Sequence, residues 1–440
     1  MTNSADSNDK ISAGDMGFLC FLTVLNMLNM IDRNLLSAFS NYIVPELGLS
    51  NTEYGLLTGL VFLIFYSIMG VFMGALADKV NRTRLISGGV ALWSALTAAS
   101  GMAWGFLSMA IPRMFIGVGE SILTPSAMSL LADRFPTSRL GFAAGFYYLG
   151  APIGNGLSFL LVGYLGPIIG WRNCFYILGA VGMGLAAMAF FIKETPRRHL
   201  SEQKISAPQL KLGDIARTAL TAIPQSPALM ATMAGATILH LIQGASYFDQ
   251  LWLVQERGYE RDEIARVTGT VLIAGGVIGT FFGGIGSDWF TKKTGFGRPM
   301  FLFFVMLFCA PFVVAFRLAP GGSIWIPLGI FFSMFQLGSF YGPTFATIQE
   351  LVPPQVRSTV IAFAIMSMNI VGMGLGITLT GVAIDALIAQ GVEQPYSVTL
   401  FTLSIISFAS MPCFLYAGLR YKRDLAVLQN RSSIAPSTPL

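Results

Sequence analysis

The chain has few charged residues. Only 11% of its 440 residues are Asp, Glu, Lys or Arg and 54% are hydrophobic, whereas charged residues make up about a quarter of a soluble domain. A soluble protein of this size needs a charged exterior, which this composition does not supply, so we predict that the exterior faces lipid. Because lipid offers the backbone no hydrogen-bond partner and the apolar segments lack the alternation of membrane strands, we expect an all-α membrane protein.

Residue types that enzymes use are also scarce. The chain has two histidines, and its four cysteines are scattered without the spacing of metal ligands. There is no His-Glu-x-x-His pair, no Gly-x-Ser-x-Gly elbow and no Gly-x-x-x-x-Gly-Lys-Ser/Thr phosphate loop. We therefore predict that the protein is not an enzyme, has no cofactor or metal site, and does not use ATP.

Long apolar stretches are abundant. Each crossing of the bilayer takes about 20 apolar residues, and Pro, Gly and charge clusters divide the chain into about twelve such stretches. We see no signal peptide before the first one. The predicted spans are 16–39, 52–77, 85–104, 106–133, 139–165, 171–193, 226–254, 263–290, 298–318, 322–350, 357–386 and 396–420.

The spans fall into two groups of six. The expected organisation is an N-terminal segment (1–15), a six-helix bundle (16–194), a linker (195–225) in which 210–220 could form an amphipathic helix, a second six-helix bundle (226–421) and a tail (422–440).

Lys and Arg are distributed unevenly between the two sides of the membrane. If both termini lie on one side, that side receives twenty of the 27 basic residues and the opposite side receives five. Positive charge collects in cytoplasmic loops, so both termini, the linker and the tail are expected to be cytoplasmic. The same distribution explains the net charge of +5 without nucleic-acid binding.

The two halves of the chain repeat. Gly74 stands four residues before Asp78, Gly284 stands four residues before Asp288, and basic residues follow in both places. A constant offset of 218 also relates Pro125 to Pro343, Pro136 to Pro354 and Arg139 to Arg357. Parallel repeats of this kind are typical of two-halved transporters and disfavour a channel.

Three motifs resemble a known family. The loop 74–84 is similar to the loop signature of the major facilitator superfamily, with Asn81 where a glycine is usual, which predicts a looser turn. The Asp32-Arg33 pair, the run from Arg113 to Glu120 and the segment 147–156 resemble the Spinster family of sphingolipid and lysolipid transporters. The match covers 16–194, and beyond it only the superfamily repeat persists.

The resemblance implies the major facilitator fold and alternating access. The function that the resemblance implies is proton-coupled export of an amphipathic, anionic, lipid-like substrate such as a lysophospholipid or sphingoid phosphate. An Asp-Arg pair in the first helix also occurs in organic-anion symporters of the superfamily, so a symporter of small organic anions stays open, as do a multidrug exporter and a substrate-sensing receptor. We expect the plasma membrane as location, contact with membrane lipids, and function as a monomer.

Four charges of alternating sign lie at membrane depth: Asp32, Arg33, Arg113 and Glu120. Charges at that depth are costly, and they usually face a cavity and have a partner. Burial disfavours a charged carboxylate and a nearby arginine favours it, so Glu120 or Asp32 is expected to carry a proton while an arginine attracts an anionic headgroup. A static latch of ion pairs is the alternative.

Two further groups of residues complete the predicted site. The substrate cavity is expected to contain Asn26, Asn29, Tyr147, Tyr148 and Asn155 of the first half, with His240, Gln243, Tyr247, Gln336, Tyr341 and Asn369 of the second. In the loops, Asp78 and Asp288 are expected to accept N–H groups from helix N-termini. The predicted cytoplasmic gate consists of Gly74, Asp78, Arg82, Arg84, Arg134, Arg139, Asp288 and Arg357.

Overall fold

The computed structural model describes residues 11–197, 217, 221, 223–353 and 356–434, which contain helices and no strand. The predicted amphipathic helix at 210–220 lies almost wholly outside these residues, and so does Pro354. The all-α prediction is confirmed. Nine helical stretches of the described chain are long and apolar enough to cross a membrane, and the longest, Ser138–Phe191, has 54 residues. It is broken at Gly170, whose φ of 76° no longer fits a helix, so it covers two of the predicted spans.

The helices of the first half are numbered in chain order. They are α1 (Ala13–Ala38), α2 (Ser40–Glu46), α3 (Asn51–Thr58), α4 (Leu60–Ala77), α5 (Arg82–Ser100), α6 (Phe106–Glu120), α7 (Leu123–Arg134), α8 (Thr137–Tyr148) and α9 (Gly150–Phe191).

The helices of the second half follow the linker. They are α10 (Pro227–Ala245), α11 (Asp249–Gln255), α12 (Arg261–Phe281), α13 (Ser287–Thr294), α14 (Arg298–Leu318), α15 (Trp325–Glu350), α16 (Arg357–Met366), α17 (Leu375–Ala389), α18 (Pro395–Ser407) and α19 (Ser410–Ile434). Two π-helical turns, Phe282–Gly286 and Ser367–Gly374, join α12 to α13 and α16 to α17.

The chain forms two compact units. The first comprises 1–208 with 260–273, and the second comprises 209–259 with 274–440. In the first unit α9 packs against α1 and α5, and in the second α10 packs against α19 while α14 packs against α15. Small residues allow these close approaches: a Cβ on Gly154 would lie 2.5 Å from the Met27 carbonyl oxygen, and one on Gly279 would lie 2.3 Å from that of Phe335.

Side-chain caps set several helix starts. Ser12 and Asp15 form a capping box at α1, and Ser50 and Glu53 form one at α3. The Asn81 side-chain oxygen accepts the Arg84 N–H at 2.9 Å and so caps α5. Its φ of −67° does not require glycine. The asparagine therefore caps the helix that follows the turn.

The last helix runs further than the predicted span, which ended at 420. It continues through the charged segment that follows Tyr421 and ends at Ile434. A contact with α10 explains part of this extension: the Asp424 carboxylate accepts the Ser226 hydroxyl at 2.7 Å and the Ala228 N–H at 2.8 Å. A carboxylate at a helix N-terminus also interacts favourably with the helix dipole.

Candidate functional site

The four membrane-depth charges come together in the first unit. Asp32 and Arg33 lie on α1, and Arg113 and Glu120 lie on α6. Both guanidinium nitrogens Nε and Nη2 of Arg33 lie 3.2 Å from Oε2 of Glu120. Arg113 donates to the Arg33 carbonyl oxygen at 3.5 Å. Arg113 and Glu120 of α6 therefore both contact Arg33 of α1.

Asp32 has a different neighbour from Arg33. The Thr97 hydroxyl on α5 lies 2.8 and 2.7 Å from its two carboxylate oxygens. Consecutive residues on a helix point about 100° apart, so the two charges of the Asp32-Arg33 pair face different helices. Asp32 is 2% exposed, which makes it a buried acceptor held by a neutral donor and by the nearby arginines.

Aromatic rings on α4 cover the two guanidinium groups. Arg33 lies 4.2 Å from the ring centre of Tyr66, and Arg113 lies 4.9 Å from that of Phe62. The close approach of α6 to α4 depends on Gly117, where a Cβ would lie 2.8 Å from the Phe62 carbonyl oxygen. The rings stabilise cations away from water, so they hold positive charge here without neutralising it.

The side chains of Arg33 and Glu120 in this ion pair differ in solvent exposure. The Arg33 side chain is 18% exposed and the Glu120 side chain is fully buried. Oε1 of Glu120 is buried and has no hydrogen-bond partner among the described residues. Such an oxygen costs free energy while the carboxylate is charged, so the arrangement suits a group that can take up a proton.

Two of the predicted cavity asparagines lie next to the network on α1. The Asn26 amide donates to the Tyr147 carbonyl oxygen at 2.9 Å, and the Tyr147 hydroxyl lies 3.2 Å from that of Thr124. Asn29 is buried, and its amide nitrogen has no hydrogen-bond partner in the described chain. Tyr148, by contrast, is 47% exposed.

The structure also contains a pair of asparagines of which only one, Asn155, was predicted as a site residue. Asn155 on α9 accepts the Asn34 amide at 2.7 Å. Asn34 follows Arg33 directly, and both are partly exposed. Asn34 was not among the predicted site residues, although it directly follows Arg33.

The second unit places His240 in a neutral, aromatic environment. His240 on α10 is buried, with Nδ1 2.8 Å from the Ala236 carbonyl oxygen and Nε2 3.2 Å from the Tyr341 hydroxyl. The Phe340 ring lies 5.4 Å away. The other predicted cavity residues of this unit are partly buried, namely Gln243, Tyr247, Gln336 and Asn369.

Sequence reasoning missed an ion pair in the second unit. Asp249 on α11 accepts from Arg317 on α14 at 2.5 Å, and Arg317 also donates to Ser404 at 3.2 Å. The Arg317 side chain is 3% exposed. Both residues lie inside predicted spans, 226–254 and 298–318, but neither was included in the predicted site.

Arg82 is the centre of the loop cluster in the first unit. It opens α5 with its side chain 1% exposed, and it pairs with Asp133 at 2.5 Å and Glu194 at 2.7 Å. It also donates to Ser129 and to the Thr195 carbonyl oxygen. The acidic partners Asp133 and Glu194 were not predicted.

The other predicted gate residues of this unit are arranged around α4 and α7. The Asp78 side chain is exposed, and Arg197 of the linker donates to the Asp78 and Ala77 carbonyl oxygens. The predicted acceptance of helix N–H groups by the Asp78 carboxylate stays a prediction. Gly74 lies next to Pro125, Arg84 stacks on Phe190, Arg134 pairs with Asp15 at 2.7 Å and Arg139 is exposed.

The second unit has a matching cluster. Arg298 opens α14 as Arg82 opens α5, and it pairs with Asp288 at 2.8 Å and with Glu350. The Tyr421 hydroxyl also donates to Glu350. Arg357 opens α16 and donates to the Val352 carbonyl oxygen at 3.3 Å.

The repeat contains a further pair of acidic residues. Glu46 accepts the Trp171 indole N–H at 2.6 Å in the first unit, and Glu256 accepts the Tyr396 and Ser397 N–H groups at 2.8 Å in the second. Each carboxylate lies at the end of the first long helical segment of its half. Each accepts hydrogen bonds from residues at the start of the last long helical segment of the same half. Their offset of 210 equals that of Asp78 and Asp288, so the sequence carried the signal.

Comparison with known proteins agrees with this architecture. The family model of the Major Facilitator Superfamily matches residues 22–377. The chain belongs to this superfamily.

Among individual proteins, the chain is 26% identical over 405 residues to an MFS-type efflux pump of Mycolicibacterium smegmatis, covering 90% of each chain. It is 26% identical over 378 residues to the hexuronate transporter of Bacillus subtilis, covering 83% of this chain and 87% of the relative.

One solved structure with a similar fold is that of a Spinster homologue. It is a bacterial homologue of the human lysosomal transporter Spinster in an inward-facing, unoccupied conformation, with a TM-score of 0.75, 24% identity and coverage of 95% of this chain and 98% of that one. The predicted major facilitator fold is confirmed, and the protein is a membrane transporter and not an enzyme.

Proposed function

We propose that this transporter moves an organic anion together with a proton, with the anion at Arg33 and the proton on Glu120. The observation that carries the proposal is the ion pair between a partly exposed arginine and a fully buried glutamate. An arriving anion can contact the partly exposed guanidinium, whereas the glutamate side chain has no exposed surface.

Charge balance links the two binding events. A buried site tolerates one negative charge opposite Arg33 far better than two, because an uncompensated buried charge is costly. When an anion replaces Glu120 as the partner of Arg33, the carboxylate is left alone and takes up a proton. Anion and proton therefore bind together, and the anion moves in the direction of proton flow. This argues for symport over the proton-driven export that the resemblance implied.

The surroundings favour an amphipathic anion as substrate. Tyr66 and Phe62 cover the arginine with aromatic surface, and in the second unit His240 is enclosed by Phe340 and Tyr341. A charged headgroup at Arg33 with an apolar chain against the Phe62 and Tyr66 rings would suit the site in the first unit. A lysophospholipid or a sphingoid phosphate is the substrate class that we propose first.

A small organic acid is the second candidate. The hydrogen-bonded pair Asn34 and Asn155 lies beside Arg33 and offers amide groups to hydroxyls or carboxylates. Similarity to a hexuronate transporter over most of the chain supports this candidate. The same ion pair serves both, so the two candidates differ in substrate and share the coupling step.

Flux in liposomes tests the proposal. Purified protein is reconstituted, and uptake of a fluorescent lysophospholipid and of a labelled hexuronate is followed with and without an imposed pH gradient. We expect the gradient to accelerate one of the two in the direction of proton flow. Glu120→Gln, which keeps the shape and stays neutral, should retain exchange of substrate and lose its dependence on the gradient. Unchanged pH dependence in Glu120→Gln would falsify the assignment of the proton.

Orientation and location are also proposed. The excess of Lys and Arg on the side of the termini supports cytoplasmic N- and C-termini in the plasma membrane. Labelling of single cysteines placed at 10 and 437 with a membrane-impermeant maleimide in intact cells should fail and should succeed after lysis. Labelling before lysis would mean that the termini lie outside the cell, which would contradict the proposed orientation.

A further inference from the structure

Two asparagines of the first unit form a polar pair beside the predicted anion site. Asn34 follows Arg33 on α1, and its amide donates to Oδ1 of Asn155 on α9 at 2.7 Å. Gly154 allows this approach, because a Cβ there would lie 2.8 Å from the Cβ of Met30, one turn before Asn34 on α1. The Asn34–Asn155 pair therefore lies at a close contact of the two helices.

The hydrogen bonds of the pair use both amide hydrogens of Asn34. One goes to the Met30 carbonyl oxygen at 2.9 Å and the other to Oδ1 of Asn155. A carbonyl oxygen only accepts, so the contact with Met30 fixes which end of the Asn34 amide is the nitrogen. Within the part of the chain that the structure describes, Oδ1 of Asn34 and the amide nitrogen of Asn155 have no hydrogen-bond partner.

Both asparagine side chains are partly exposed. Amide groups without partners are costly in hydrocarbon, and polar residues of membrane helices face the bundle interior or a water-filled cavity. The preceding residue, Arg33, has a side chain that is 18% exposed, and consecutive Cα atoms are only about 3.8 Å apart. A molecule with several polar groups can therefore contact Arg33 and the pair together.

The two remaining groups of the pair have opposite hydrogen-bonding roles. Oδ1 of Asn34 accepts and the amide nitrogen of Asn155 donates, so one hydroxyl, which does both, can satisfy them together. An ionised carboxylate or phosphate only accepts, and it would meet the Asn34 oxygen with no hydrogen between them. A hydroxyl is therefore the group that fits the pair.

We propose that Asn34 and Asn155 bind a hydroxyl that lies close to the anionic group of the substrate. This inference rests on the proposed function, because it takes Arg33 as the partner of the anionic group. The substrate class is then a hydroxylated organic anion. A lysophospholipid, a sphingoid phosphate and a hexuronate all carry such a hydroxyl, whereas phosphatidic acid, in which both glycerol hydroxyls are esterified, does not.

Flux of matched anions into proteoliposomes tests the inference. One couple is lysophosphatidic acid and the analogue with hydrogen in place of its glycerol hydroxyl. The other is a hexuronate and the analogue that lacks the hydroxyl nearest the carboxylate. All four are radiolabelled and are supplied below saturation with an imposed pH gradient. In the couple that is transported, we expect the hydroxylated member to move about tenfold faster, which corresponds to one net hydrogen bond.

Leucine variants assign the preference to the pair. Asn155→Leu and Asn34→Leu each remove a partner of the hydroxyl, so we expect each to lower the ratio of the two rates from about tenfold to about one. The ratio compares two substrates in the same protein, so a smaller folded fraction does not change it. Asn173→Leu on α9 is the matched control, since the Asn173 amide donates to the Ile169 carbonyl oxygen of its own helix at 2.7 Å and the residue is exposed. Its ratio should equal that of the unmodified protein.

Equal rates for the two members of a transported couple would overturn the inference and leave the proposed function standing, because the anion is still carried. A preference that survives in either asparagine variant of the pair, or that Asn173→Leu lowers to the same extent, would also overturn the inference. No flux of any of the four anions would overturn the proposed function and the inference together.

Discussion

The two units have the same helical scaffold and different interiors. The first has four buried or partly buried charges on α1 and α6, with Arg33 and Glu120 paired at 3.2 Å. At the corresponding depth of the second, His240 lies between a carbonyl oxygen and a tyrosine hydroxyl. Its buried ion pair, Asp249 with Arg317, joins the ends of α11 and α14. Duplication therefore preserved the architecture while the chemistry of each half diverged.

The loop clusters show the opposite behaviour. Arg82 and Arg298 each begin the third long helix of a half and each pair with a carboxylate near the end of the fourth, Asp133 or Glu350. These contacts serve the packing of each bundle, which both halves need. We propose that the paired charges in the loops stabilise the packing of both halves, whereas the membrane-depth charges of the first half serve transport.

The largest effect is expected from Arg33→Gln. It leaves Glu120 buried without its ion-pair partner, which should cost about 3–5 kcal/mol in the free energy of unfolding at a pH at which the carboxylate is charged, and it should abolish transport because the anion has no partner. Adding Glu120→Gln removes the uncompensated charge and should restore much of the stability without restoring transport. Thermal unfolding in detergent and flux in liposomes measure the two effects separately.

A result in which Arg33→Gln still transports would remove Arg33 as the anion site. A double variant that stays as unstable as the single one would mean that the arginine acts through the rings of Phe62 and Tyr66 and not through Glu120.

A smaller effect is expected from Arg82→Gln, compared with Arg298→Gln in the matching position. The Arg82 side chain is 1% exposed and that of Arg298 is 18% exposed. Loss of Arg82 leaves Asp133 buried, so we expect a cost of about 3 kcal/mol, whereas loss of Arg298 should cost about 1 kcal/mol because its partners are partly solvated. Unfolding temperatures of the two variants give the comparison, and equal losses would contradict it.

The sequence predicted the fold and the central charges for physical reasons. Stretches of about twenty apolar residues have few alternatives to membrane helices, and charges at membrane depth such as Asp32 and Glu120 must find partners. It did not predict which partners. The contact of Asp32 with Thr97 and that of Arg82 with Glu194 join residues 65 and 112 positions apart, and helical periodicity carries no information across such distances.

Features at helix ends were missed for another reason. Asp249 and Arg317 stand at the borders of apolar runs, where charge normally indicates a loop, so their burial against each other was not expected. Glu46 and Glu256 could have been found, because their offset repeats that of Asp78 and Asp288, but a single acidic residue after an apolar helix is ordinary in itself.

The smallest effect on transport is expected from Asp249→Asn, which sharpens the comparison between the units. The amide oxygen can still accept from Arg317, and Ser404 remains a second partner at 3.2 Å, so the cost should be about 1–3 kcal/mol. Transport should keep its dependence on the pH gradient, because this pair belongs to the second unit and the proposed proton and anion sites belong to the first. Flux at several gradients, measured beside Glu120→Gln, tests this. If Asp249→Asn also loses the gradient dependence, proton coupling involves both halves, and the proposed division between a charged, coupling half and a neutral half is wrong.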